Sequence, residues 1–162
     1  MIAIRTPGFA RWTLLGIVFV LAAAVATYAF YCPCEQVPGV YLLGDEVAEP
    51  VTDWAFVNDV RLCQVQVADG FLPHAINLNC MSSAGSAYLS CSYCAGKRWS
   101  NAAVDDPSVR LRVGGNVYPV RLERLTEPAR LDAAWQARSL KLGLPADGER
   151  PDHWWSFAVT SR

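Results

Sequence analysis

Residues 12–31, WTLLGIVFVLAAAVATYAFY, contain no charged side chain over 20 consecutive positions. At about 1.5 Å per helical residue such a run reaches roughly 30 Å, the hydrocarbon thickness of a bilayer. Taking the first 31 residues from the 162 of the chain leaves 131, enough for one domain and too few for two. A polytopic transporter, a large multidomain enzyme and a disordered chain are thereby excluded. The formal net charge of −1 also argues against a chain built to bind nucleic acid.

Arg5 and Arg11 precede the apolar run, and Glu35, Asp45, Glu46 and Glu49 follow it. The excess of positive charge on the N-terminal side predicts a cytoplasmic N-terminus (1–11), a transmembrane anchor (12–31) and a domain on the extracytoplasmic, periplasmic side. Trp12, Tyr28 and Tyr31 suit an interfacial aromatic belt. The rival is a signal peptide. Tyr28, Phe30 and Tyr31 are bulky where its cleavage site needs small residues, although Ala22, Ala24 and Ala26 offer an Ala-x-Ala pattern inside the run. Cys32-Pro33-Cys34 then marks a junction, because proline stops the helix. Residues 32–54, with Pro38, Gly39, Gly44 and Pro50, read as a linker or loosely attached arm ahead of a domain over 55–162.

Charge is segregated along the chain. From Cys32 to Asp69 seven acidic residues face Arg61 alone, whereas from Lys97 to Lys141 nine basic residues face five acidic ones. The second region either attracts an anion such as a phosphate or consists of solvated strand and helix faces. Six cysteines stand at 32, 34, 63, 80, 91 and 94, and outside the cytoplasm disulfides are expected. Cys91 and Cys94 form a C-x-x-C, open to a disulfide staple, a redox dithiol or half a zinc site. Haem attachment is excluded because Ala95, not histidine, follows. No paired ligands accompany the motif, so no metal site is expected.

Period-two alternation predicts strands at Arg61–Val67 and His74–Cys80 around an Asp69-Gly70 turn. With residues 69–72 as the loop, Cys63 faces Leu78 and Val65 faces Ile76, and all four share one side. Cys63 and Cys80 are then diagonal neighbours roughly 7–8 Å apart, long for a disulfide without local adjustment. Further strands are expected at Ala87–Cys91, Val109–Val113 and Val120–Leu122, the last two joined by a Gly114-Gly115-Asn116 turn. Helices are expected at Trp99–Asp105 and, capped by Thr126, at Glu127–Leu142 with Leu131, Ala134, Trp135 and Leu142 facing inward. A last strand, Trp154–Thr160, closes a small, mainly β barrel with one long helix.

No G-x-S-x-G, H-E-x-x-H, G-x-G-x-x-G or Walker loop is present. With His74 and His153 a Ser-His-acid triad is possible by count but has no local support in the sequence. The densest functional-looking stretch is Gly96-Lys97-Arg98-Trp99-Ser100-Asn101. Two cations at a helix start could hold a phosphate, and the indole could wall a planar ring. The plain alternative buries Trp99 in the core and leaves both cations in water.

The order of these motifs, Lys97–Asn101, Asp106-Pro107, Val109-Arg-Leu-Arg-Val-Gly-Gly115 and Tyr118, resembles the split β-barrel flavin-binding proteins. It is most similar to the deazaflavin-dependent nitroreductase family, and more distantly to the pyridoxamine 5'-phosphate oxidase-like family. The resemblance implies a split barrel over roughly 55–160, an FMN or deazaflavin cofactor near Lys97, Arg98, Trp99, Ser100 and Asn101, oxidoreductase activity and a homodimer. The turn Ala68–His74 departs from the family pattern, since it carries Asp69 and no Lys or Arg. Two other functions compete with this one: a non-catalytic envelope module that has lost its cofactor, and a C-x-x-C thiol-redox protein.

Overall fold

In the computed structural model residues 7–31, 38–145 and 148–162 are described. The Cys32-Pro33-Cys34 junction and Arg5 lie outside them. The apolar run lies within helix α1 (Pro7–Tyr31). Its Arg11–Tyr28 stretch has a mean hydropathy of 1.7 and none of it is buried against the rest of the chain. The helix is therefore long and apolar enough to cross a bilayer, and no protein surface covers its Arg11–Tyr28 stretch.

The remaining described residues build a closed barrel from β2 (Cys63–Val67), β3 (His74–Ser83), β4 (Ser86–Ser92), β5 (Ser108–Val113), β6 (Asn116–Arg124) and β7 (Trp154–Ser161). The antiparallel order β6-β5-β2-β3-β4-β7 closes because β7 pairs with β6 as well as β4. Alternation drives this closure. Val65, Leu89, Leu111, Val120 and Phe157 are buried inside, and their neighbours along each strand point outward.

The first hairpin takes the expected register, with Cys63 opposite Leu78 and Val65 opposite Ile76. Its diagonal cysteines are nevertheless bonded: Cys63 and Cys80 form a disulfide with Cα atoms 5.7 Å apart. Strand twist shortens one diagonal of an antiparallel pair, which the flat spacing ignored. Ala84 and Gly85, both in the left-handed region (φ 48° and 77°), turn β3 into β4 in two residues.

Two helices pack on the barrel. Helix α2 (Arg98–Asp105) precedes β5, and α3 (Pro128–Leu142) lies between β6 and β7 in sequence. The N-cap of α3 is Glu127 rather than Thr126, because Pro128 presets the first helical dihedral. Ala134 and Ala137 bring α3 close to Met81, Leu125 and Trp154, whereas Leu142 is exposed. Gly143, at φ 62°, ends the helix as Leu144 N–H reaches the Ser139 carbonyl at 2.9 Å.

The segment from Pro38 onward is not loose. Gly39 exchanges backbone hydrogen bonds with Ala75, and Leu42 is buried with Ala75 and Val117. Strand β1 (Asp45–Glu46) runs parallel to Asn116–Val117 of β6. The Gln66 side chain accepts from Leu42 N–H, and the Arg110 guanidinium donates to the Leu42 carbonyl. These bonds give the Gly39 and Leu42 backbone groups partners against the barrel, which offsets their loss of water.

Candidate functional site

The polar sides of the strands form a row across the outside of the barrel. Register places Arg112 on β5 beside Gln64 on β2, and Gln64 beside Asn77 on β3. Gln64 Nε2 donates to Asn77 Oδ1 at 2.9 Å, and Arg112 Nε donates to the Gly114 carbonyl at 3.0 Å. Farther along, Asn79 pairs with Ser90 of β4.

Over this row lies a groove of about 500 Å³, lined by Pro38, Leu62, Ile76 to Asn79, Ser90 to Ser92, Lys97 and Trp99. A second hollow of about 210 Å³ shares Leu62 and Asn77 with it and reaches Gln64 and Arg112. The two hollows adjoin at Leu62 and Asn77, with the Lys97 ammonium lining the larger and the Arg112 guanidinium the smaller. Its floor is amide, hydroxyl and half-buried aliphatic. The larger hollow falls within the volume range of small-molecule sites.

Of the five residues expected at a cofactor's phosphate, Lys97 and Trp99 line this groove. The Trp99 ring is only 4% exposed and packs 5.3 Å from Phe157. Arg98 is exposed and pairs with Asp69 on the β2–β3 turn. Ser100 is fully buried; its hydroxyl donates to the Cys94 carbonyl at 2.5 Å. Asn101 Nδ2 donates to the Ala95 carbonyl at 3.3 Å. Ser100 and Asn101 therefore fasten the turn that precedes α2, and Lys97, at the N-cap, is presented to the groove. Asn77, Asn79, Ser90, Ser92 and Arg112 were not singled out from the sequence. The signal available was amide and hydroxyl residues, rather than charges, on the outward positions of adjacent strands.

Cys91 and Cys94 are joined in a disulfide with Cα atoms 5.7 Å apart, and Cys91 borders the groove. Between them Tyr93 adopts φ 53°, stacks on His153 at 3.9 Å, and its N–H donates to the His153 carbonyl. Cys94 is buried. Near the hairpin turn, His74 is held below its ordinary pKa, first by burial and next by the Arg98 charge, with Asp69 opposing. Among the described residues no group of three metal-ligating side chains occurs.

No family model matches the chain, and no curated protein does. Solved structures share its fold. A candidate pyridoxamine 5'-phosphate oxidase of Listeria innocua superposes with a TM-score of 0.54 at 12% identity, covering 67% of this chain and 89% of that one. The conserved hypothetical protein Rv2991 of Mycobacterium tuberculosis gives 0.53 at 16% identity, covering 73% and 86%. Campylobacter jejuni ChuZ gives 0.50 at 10% identity, covering 66% and 50%. The barrel thus shares the split-barrel fold of these structures.

Proposed function

We propose that this is a membrane-anchored, extracytoplasmic split-barrel protein that holds a flavin-type cofactor in the groove between Lys97 and Arg112 and serves as an oxidoreductase. The observation that carries the reading is the groove itself, on a barrel of this fold, with its polar row bounded by cations. The residues fit such a group. Amides and hydroxyls on β3 and β4 match the polar edge of a planar heterocycle, and Lys97 supplies a counter-charge for a phosphate. When bound, a flavin supplies hydride or electron transfer. The chain's part is to fix the ring's orientation and exclude water.

FMN fits better than a deazaflavin with a long anionic tail, because Asp69 already engages Arg98 at the hairpin turn. The order of motifs from Lys97 to Tyr118 supports the nearer kinship with the deazaflavin-dependent nitroreductases. Residues 1–11 are then cytoplasmic, 12–31 the anchor, 32–54 the arm and 55–162 the barrel domain, and a homodimer would complete the groove's open side. Burial of Cys94 disfavours the rival in which the Cys91–Cys94 pair is an exposed dithiol.

Purified full chain in detergent is titrated with FMN and its bound visible absorbance recorded. Saturable binding is expected, weakened about tenfold in Lys97→Ala, the scale of one lost charge-assisted hydrogen bond. A colourless protein that takes up neither FMN nor a deazaflavin would leave the non-catalytic envelope module as the function.

A further inference from the structure

The β2–β3 hairpin ends in Phe71-Leu72-Pro73. The Phe71 side chain is 98% exposed and Leu72 42%. One exposed apolar residue is unremarkable on a protein surface, so the position of this one decides its meaning. The Phe30 carbonyl, at the end of α1, accepts from Val40 N–H at 3.0 Å and from Tyr41 N–H at 3.4 Å. The Tyr41 ring meets the Phe30 ring at 5.4 Å. Next along the arm, Gly39 and Ala75 exchange hydrogen bonds of 2.8 and 2.9 Å. The start of β3 is therefore tied to the end of the apolar helix, and Phe71 lies four residues before Ala75, within about 14 Å of chain.

We propose that this hairpin tip is a second membrane contact, with Phe71 and Leu72 seated at the boundary of lipid headgroups and acyl chains. The inference rests on the anchoring reading of α1. A helix that spans the bilayer and ends at Tyr31 leaves its last turn at the interface, and the tip then stands within reach of the layer where aromatic and aliphatic side chains partition. The local charge is compatible: Asp69 is neutralised by Arg98, and Lys97 adjoins it, so anionic headgroups meet no unpaired acid from this turn. A lipid surface is favoured over a second copy of the chain. Two side chains on a turn cover far less than the roughly 1,000 Å² that a stable protein interface needs, whereas α1 brings lipid to this edge unaided. Two attachment points, unlike one, would stop the barrel from swinging about the arm and would fix the groove's direction relative to the membrane.

The test uses the full chain reconstituted in vesicles of equal parts phosphatidylcholine and phosphatidylglycerol. A fluorinated phenylalanine is placed singly at Phe71, at Phe19 within α1, or at Leu140. The last is 76% exposed on the helix whose neighbouring Lys141 bonds the Cys80 carbonyl, toward the other end of β3. Fluorine relaxation is measured with a headgroup-level spin-labelled lipid, an acyl-chain spin-labelled lipid and a water-soluble gadolinium chelate. At position 71 the headgroup-level lipid is expected to act several-fold more strongly than the chelate, with the reverse at 140 and a strong acyl-chain effect at 19. If 19 responds to lipid while 71 behaves like 140, the hairpin proposal falls and the anchor stands. If neither 19 nor 71 responds, the anchor falls and takes this proposal with it. Shielding of 71 from every probe would mean a protein cover and would equally overturn it.

Discussion

Asp69, His74 and Arg98 meet where the β2–β3 hairpin passes the first turn of α2, and the imidazole is the member that titrates near neutrality. Burial and the Arg98 guanidinium both penalise its charged form, so its pKa in the folded chain lies below the unfolded value, and Asp69 only partly offsets this. The sign of the linkage follows. As pH falls through the ordinary imidazole range near 6.5, the unfolded chain takes up the proton before the native one does, and folding stability falls. The urea midpoint of the detergent-solubilised chain is therefore expected to drop between about pH 8 and pH 5 by more in the parent than in His74→Gln, the other titrations being common to both. Equal drops would show that the ion pair with Asp69 already accommodates the imidazolium. The same pair engages Arg98 at the hairpin turn, while its neighbour Lys97 lines the groove. Of two cations adjacent in sequence, Arg98 is claimed by an acid 29 residues earlier.

At the scale of elements, the docking of α3 depends on one polar contact as well as on its alanines. Lys141 Nζ donates to the Val57 and Cys80 carbonyls, each at 2.6 Å, and burial lowers its pKa against the pull of Asp59. Lys141→Met would keep the aliphatic stem and leave two carbonyls without this donor, so a loss of about 1–3 kcal/mol is expected from urea unfolding. An unchanged midpoint would mean that water replaces the ammonium without cost. Nothing in the helical pattern of 128–142 marks Lys141 as inward. A lysine late in a helix reads as a solvated end, and Leu142 reads as the buried residue that it is not. The strands were more legible. Alternation over Cys63–Val67 specifies both partner and register of the first hairpin, because a slip of one residue would turn Val65 outward. The expected Gly114-Gly115-Asn116 turn marks the second, although Asn116 already pairs with Val113 in the strand. Alternation is silent about the outward set, however. Gln64, Asn77 and Asn79 have the same period whether they face bulk water or the floor of a groove, and the groove exists only after α2 and Pro38 are set beside them. For the same reason Lys97–Asn101 could be read as one ligand-binding unit, although Trp99 and Ser100 are drawn inward to fix the turn.

For the molecule as a whole, closure by β7 makes the first hairpin and the last strand parts of one cooperative wall, and the two disulfides among the described residues constrain that wall unequally. Cys63 and Cys80 are separated by 17 residues and both are buried in the barrel interior. Cys91 and Cys94 are separated by three. A cross-link stabilises chiefly by restricting the unfolded chain, and a loop of about 15 residues is worth roughly 3 kcal/mol in that account, whereas a three-residue loop restricts little beyond its own turn. Urea unfolding of the paired variants Cys63→Ala with Cys80→Ala and Cys91→Ala with Cys94→Ala, each leaving the other four cysteines in place, separates the two contributions. The first pair is expected to lower the midpoint much more than the second, since it also leaves the Lys141 ammonium beside an emptied site. The second is expected to act on the groove instead. It frees the Tyr93 turn that carries the chain from β4 to Lys97, so under the proposed function FMN affinity should fall while the midpoint barely moves. Equal midpoints for the two variants would sink this division. A loss of stability without loss of affinity from the Cys91–Cys94 variant would show that its disulfide holds the wall and not the ligand site.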